Sequence, residues 1–175
     1  MGERVPTGSG CRRDEEVQEM TYIRWQIRRD MPFVLSIEEK SFADPWDEDS
    51  VCSLLRRSNY IGMVAEREDA TIGYMIYELK KRSLVLHRIA VDPAFRNEGV
   101  GSAMVQKLIN KLSVDRRRVI SITIPDTLLQ AHMFFSKLGF IASGNIVELN
   151  EQSEGTNEAY EFRYMIRIKE EIDGR

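Results

Sequence analysis

Cysteine is scarce in this chain. Only Cys11 and Cys52 are present, neither at metal-ligand spacing, which argues against a structural zinc or a disulfide framework and suits two free thiols in a reducing compartment. Long apolar runs are missing as well: none approaches the roughly 18 residues of a membrane span. The first twenty residues contain no hydrophobic stretch that could serve as a signal peptide. The expectation is a cytoplasmic protein with no membrane partner. Nor is there an excess of positive charge. With 25 Lys and Arg against 28 Asp and Glu, a net charge of -3 and a pI near 5.6, the chain lacks the bulk basicity of a nonspecific nucleic-acid binder. The basic runs at 80–82 and 116–118 read as solvated turns rather than a ribosome-facing patch. No internal repeat interrupts the chain.

What is present suffices for one core. A chain of 175 residues, 42% hydrophobic and 30% charged, suits a single compact domain. Residues 1–20 are rich in Gly, Ser and charge and read as a disordered leader, residues 21–170 as the domain, and 171–175 as a polar tail.

Alternation predicts a strand from Tyr22 to Arg28, after which Asp30, with Pro32 behind it, offers an N-cap for a helix reaching about Lys40. Asp47 and an acidic first turn open a second helix through Val51, Leu54 and Leu55. Tyr60 to Glu66 and Thr71 to Leu79 read as a hairpin, followed by a third strand from Leu84 to Val91. Val100, Met104, Val105, Leu108 and Leu112 then mark one face of a helix. The apolar VISITI at 119–124 reads as a strand buried on both faces, and residues 128–138 as a helix stopped by Gly139. Strands from Phe140 to Leu149 and from Ala159 to Ile168 complete an α/β (α+β) fold, a mixed and mostly antiparallel sheet of about seven strands with helices on both faces. Met104, Met133, Phe134 and Phe140 are assigned to core packing.

The segment RIAVDPAFRNEGVGSAMVQKL carries the chemistry: a strand ends, an Asp-Pro turn follows, and Arg-x-x-Gly-x-Gly leads into a helix. Gly99 and Gly101 allow close backbone approach, and the first-turn amides lack helical acceptors. Those free donors and the positive end of the helix dipole form an anion site suited to a pyrophosphate, with Arg96 as a charged donor. Two glycines at a helix start also serve in a plain tight turn. The Rossmann spacing is not met, because Met104 occupies the third glycine position, and a Walker lysine is absent.

From about Tyr22 to Ile168 the chain resembles the GNAT N-acetyltransferase superfamily, through Arg96, Gly99 and Gly101. Pro45-Trp46, IAVDP at 89–93 and FFSKLGF make it most similar to the bacterial ribosomal-protein alanine N-acetyltransferase branch. The resemblance implies acetyl-CoA as co-substrate, no metal, and an acyl transfer to an amine. It also implies that the strands at 84–91 and 119–124 splay apart around the pantetheine arm, with main-chain groups of Ile89, Ala90 and Val91 meeting the acetyl carbonyl, and that Asn97, Glu98, Gly99, Val100, Gly101 and Ser102 bind the pyrophosphate. The implied acceptor is a peptide or protein N-terminus, a ribosomal protein being one candidate, and the implied assembly a monomer or weak homodimer.

The catalytic pattern departs from that branch. Thr123 stands where a glutamate base is usual, Leu128 where an asparagine contacts the cofactor, and Phe135 where many members carry a tyrosine proton donor. A threonine hydroxyl can hold a water but accepts no proton at neutral pH. His87, two residues before Ile89, is the replacement base, by similarity to the histidine that precedes the corresponding segment in the serotonin N-acetyltransferase branch. His132, near the expected cleft mouth, is a weaker candidate. Alternatives are a small-amine acetyltransferase, for which residues 148–158 could supply an acidic pocket, and an acyl-CoA-binding regulatory module without turnover.

Overall fold

The computed structural model describes residues 20–148 and 158–166. The expected leader, the tail, most of the acidic loop and the strand ends at Leu149 and 167–168 lie outside them. The described elements are β1 (Tyr22–Trp25), α1 (Met31–Ser41), α2 (Glu48–Leu55), β2 (Tyr60–Arg67), β3 (Ala70–Leu79), β4 (Ser83–Val91), α3 (Val100–Ile109), β5 (Val119–Pro125), α4 (Leu129–Lys137), β6 (Ile141–Glu148) and β7 (Glu158–Met165).

One sheet joins all seven strands in the order β1-β2-β3-β4-β5-β7-β6. Every neighbouring pair is antiparallel except β4 and β5, which run parallel because the chain crosses over through α3 between them. Both faces are covered. Met104, Val105 and Leu108 of α3 and Phe135 of α4 pack with Met75, Leu86, Ile122 and Phe162 on one side. Val34 and Ile37 of α1 and Val51 of α2 pack with Val64, Tyr74 and Ile76 on the other. A strand pressed from both sides loses its apolar-polar alternation, and residues 71–77 of β3 are buried without a break.

Local chemistry corrects the sequence reading at three places. β1 stops at Trp25, because the Asp30 carboxylate turns back to accept from Ile27 N–H at 2.8 Å and from Arg24 at 2.7 and 2.9 Å. It is therefore not the side-chain cap of α1, which has none, whereas Asp47 caps α2 through Ser50 N–H at 2.8 Å as expected. Burial would raise the Asp30 pKa, but Arg24 and the Ile27 N–H hold it below the usual carboxylate range. The third is Met133, 52% exposed rather than in the core, because the buried stripe of α4 follows Ala131, Phe134, Phe135 and Leu138 at helical spacing and Met133 falls beside it.

Candidate active site

The parallel strands β4 and β5 part company. Their pairing runs from Ser83 with Val119 to Leu86 with Ile122 and ends there, although β4 continues to Val91 and β5 to Pro125. Five residues of β4, from His87 to Val91, thus have no partner on the β5 side, which leaves a V-shaped opening in the middle of the sheet. Ile89, Ala90 and Val91 lie on one arm of it.

The two residues expected to be catalytic occupy the first position past the last pair on each arm: His87 on β4 and Thr123 on β5. Unbroken alternation would place His87 on the same face as Ile89, and the structure corrects this. Ile76 pairs with Arg88 but Tyr77 pairs with Leu86, so His87 is the extra residue of a β-bulge. Leu84, Leu86, Ile89 and Val91 consequently all pack on the α3/α4 side. His87 faces the α1/α2 side, its ring 5.2 Å from that of Tyr60 and its Nε2 3.2 Å from Glu78 Oε2. With Nε2–H donating to Glu78, Nδ1 is the nitrogen able to accept a proton. Thr123 points the same way, since Ile122 and Ile124 on either side of it pack against α3/α4. His87 and Thr123, each one residue past the Leu86–Ile122 pair, thus share one face of the sheet, while the bulge returns Ile89 to the other.

Beyond the β4 tip, the loop into α3 has the conformation of an anion cradle. Asn97 and Gly99 both take positive φ, 65° and 82°, and Ala103 is the first amide of the helix to find a backbone acceptor, Gly99 O at 2.9 Å. The amides of Val100, Gly101 and Ser102 have no helical acceptor and carry the positive end of the helix dipole. A Cβ built on Gly99 would meet nothing within 4 Å, whereas one on Gly101 would lie 3.3 Å from the Phe134 ring. Gly99 thus keeps the mouth of the helix open, and Gly101 lets α3 pack closely on Phe134 of α4. Arg96 braces the loop: Nε donates to Val91 O and Nη2 to Ser41 Oγ, each at 2.9 Å. Glu98 pairs with Arg67 at 2.5 Å. Lys40 at 2.8 Å and the Ala94 N–H hold Asp92 well below the usual carboxylate range, tying the end of α1 to the same loop.

The α1–α2 connection is fastened over the His87 face by a buried network that the sequence reading missed. Glu38, fully buried on α1, accepts from the Tyr74 hydroxyl and from Trp46 N–H at 3.1 Å, with Arg88 Nε 3.6 Å away. Burial, then Glu38, push the Tyr74 phenol far above its ordinary range. The Arg88 guanidinium lies 4.1 Å from the Phe42 ring centroid and 4.4 Å from that of Trp46, and donates to Asp44 O at 3.0 Å. Arg88→Ala would strand the Glu38 charge in the core. It is expected to cost about 3 to 5 kcal/mol of stability, read as a lowered midpoint in urea unfolding. A loss below about 1 kcal/mol, the scale of an exposed ion pair, would contradict this account.

Residues 58–142 match the acetyltransferase (GNAT) domain family. The chain carries a GNAT acetyltransferase domain. The ribosomal protein bS18-alanine N-acetyltransferase of Escherichia coli K12 is 24% identical over 111 residues, covering 63% of this chain and 74% of that protein. The crystal structure of the Escherichia coli ribosomal-protein-S18-alanine N-acetyltransferase superposes with a TM-score of 0.75 at 22% identity, covering 87% of this chain and 98% of that one. Arabidopsis thaliana Naa50, solved with the bisubstrate analogue CoA-Ac-MVNAL, superposes at 0.69 with 12% identity, covering 83% and 99%. The chain is thus an acetyl-CoA-dependent N-acetyltransferase, moving an acetyl group to an amine. Among its described residues no helix is long and apolar enough to cross a membrane.

Two of the expected cofactor contacts on α4 of this GNAT domain are differently placed. Leu128, at the N-cap of α4, is 46% exposed and open to a ligand. Phe135 is 2% exposed and enclosed by the rings of Phe134 and Phe140, so it packs the core and presents no ligand surface. His132 lies edge-on to Tyr160 and Phe162 with Nε2 2.8 Å from Pro125 O, fastening α4 to the tip of β5.

Proposed function

We propose that this GNAT domain acetylates the α-amino group of a peptide or protein N-terminus, with His87 and Thr123 acting where the fork opens. The carrying observation is the register: pairing of β4 and β5 ends at Leu86 and Ile122, and the next residue on each arm is polar and on the same face. The pantetheine arm of acetyl-CoA would enter the fork beside Ile89, Ala90 and Val91, and the pyrophosphate would rest on residues 97–102. The open Gly99 mouth fits that group. The amine nitrogen attacks the acetyl carbonyl carbon, the C–S bond breaks, CoA leaves as thiolate, and the amine proton passes to His87, directly or through a water held by Thr123. An N-terminal alanine of a ribosomal protein is the leading acceptor, on the strength of the relatives' activity.

A site with one imidazole and no carboxylate base at position 123 favours the amine that is easier to deprotonate. Freeing a lysine amine of pKa about 10.4 at pH 7 costs about 4.6 kcal/mol, against about 1.1 kcal/mol for an α-amine near 7.8. The expected outcome is faster acetylation of peptide N-termini than of lysine side chains in matched peptides, followed as CoA release. Equal or faster lysine acetylation would place the acceptor class elsewhere.

A further inference from the structure

The carboxylate missing from position 123 is present one strand away. β7 pairs antiparallel with β5, and the residue directly opposite Thr123 is Glu161. Directly opposed residues share a face with their Cβ atoms about 5 Å apart. Glu161 stands between Tyr160 and Phe162, which both pack toward α3/α4, so it faces the side of His87 and Thr123. Its Oε2 accepts from Arg163 Nη2 at 2.6 Å and lies 3.3 Å from Ser143 Oγ. Arg163 itself sits opposite Ser121, toward the closed end of the fork, leaving Glu161 as the acidic member of the pair at the open end.

We propose that Glu161 is the acceptor-recognition residue, its carboxylate pairing with the ammonium of the incoming N-terminus beside Thr123. This rests on the acceptor reading given above. An α-amine near pKa 7.8 arrives mostly protonated at pH 7, and a half-buried carboxylate at the fork both attracts and orients it. Arg163 and the Ser143 hydroxyl hold the carboxylate in place at the open end of the fork, so that it meets the ammonium in a fixed orientation. His87 then takes the proton, a division of labour in which neither group has to both hold and deprotonate the amine.

Binding of an alanine-initiated hexapeptide to the full chain loaded with CoA, which permits no turnover, tests this. Wild type should bind the free-amine peptide about tenfold more tightly than its N-acetylated form, on the scale of one charge-assisted hydrogen bond. In Glu161→Gln the two affinities should converge, with CoA affinity and melting temperature unchanged, while Glu161→Asp should keep the preference. A preference retained in a folded Glu161→Gln protein overturns the proposal and leaves the acceptor reading standing. If wild type binds neither peptide and releases no CoA from acetyl-CoA in their presence, the acceptor reading falls as well.

Discussion

Replacing His87 by alanine is expected to lower kcat/KM for acetyl transfer by about 10² to 10⁴, the usual contribution of general-base assistance. Acetyl-CoA binding should be nearly unchanged, because the proposed cradle uses main-chain groups of residues 97–102. The side chain is one-third exposed and contacts Tyr60 and Glu78 at the sheet surface, so its removal leaves no core cavity. A mutant that melts several degrees lower but keeps its activity per folded molecule would reduce His87 to a packing residue. Thr123 and its water would then be left to carry the proton.

The second large effect is expected at Gly99. Acetyl-CoA at about a hundredfold excess over Kd should stabilise the native protein by about 2.7 kcal/mol, a melting shift of about 5 to 10 °C for a domain of this size. Gly99→Asp should abolish that shift. Its carboxylate would project into the open mouth of α3, against the phosphates, and the residue would have to hold a φ of 82° that costs a non-glycine residue about 1 to 2 kcal/mol. The apo fold should survive, since a Cβ at this position meets nothing within 4 Å. Gly99→Ala, with the strain but without the charge, should keep part of the shift. A full shift in Gly99→Asp would remove the phosphate cradle from this loop.

The element order was legible because each segment's local signals agree with its place in the fold. Val100, Met104, Val105 and Leu108 repeat at helical spacing and are all buried, Asp47 caps α2, and Gly139 ends α4 with a φ of 89°. The turn into α3 was legible for the same reason: a glycine before a helix announces its own backbone conformation, here a φ of 82° at Gly99. What escaped depends on long-range register. A bulge at His87 cannot be read from β4 alone, because it exists only as a mismatch with Ile76 and Tyr77 of β3. Likewise the opposition of Thr123 and Glu161 is set by how β7 returns to pair with β5, which alternation within either strand does not encode. The Glu38 network did leave a trace, a glutamate on the buried face of α1 formed by Met31, Val34 and Ile37. A charge in such a stripe needs partners, and they came from β3, β4 and the loop after α1.

The central claim, that this chain moves an acetyl group from acetyl-CoA to an N-terminal amine at the fork between β4 and β5, is tested most directly by CoA release. Purified full-length protein would be given acetyl-CoA and a panel of alanine-initiated peptides, each beside its N-acetylated control. The account predicts release that depends on the free amine, with acetylation on the α-nitrogen found by mass spectrometry. No release above the blocked controls, from protein that acetyl-CoA nevertheless stabilises, would contradict it and leave a module that binds the acyl carrier without turning it over.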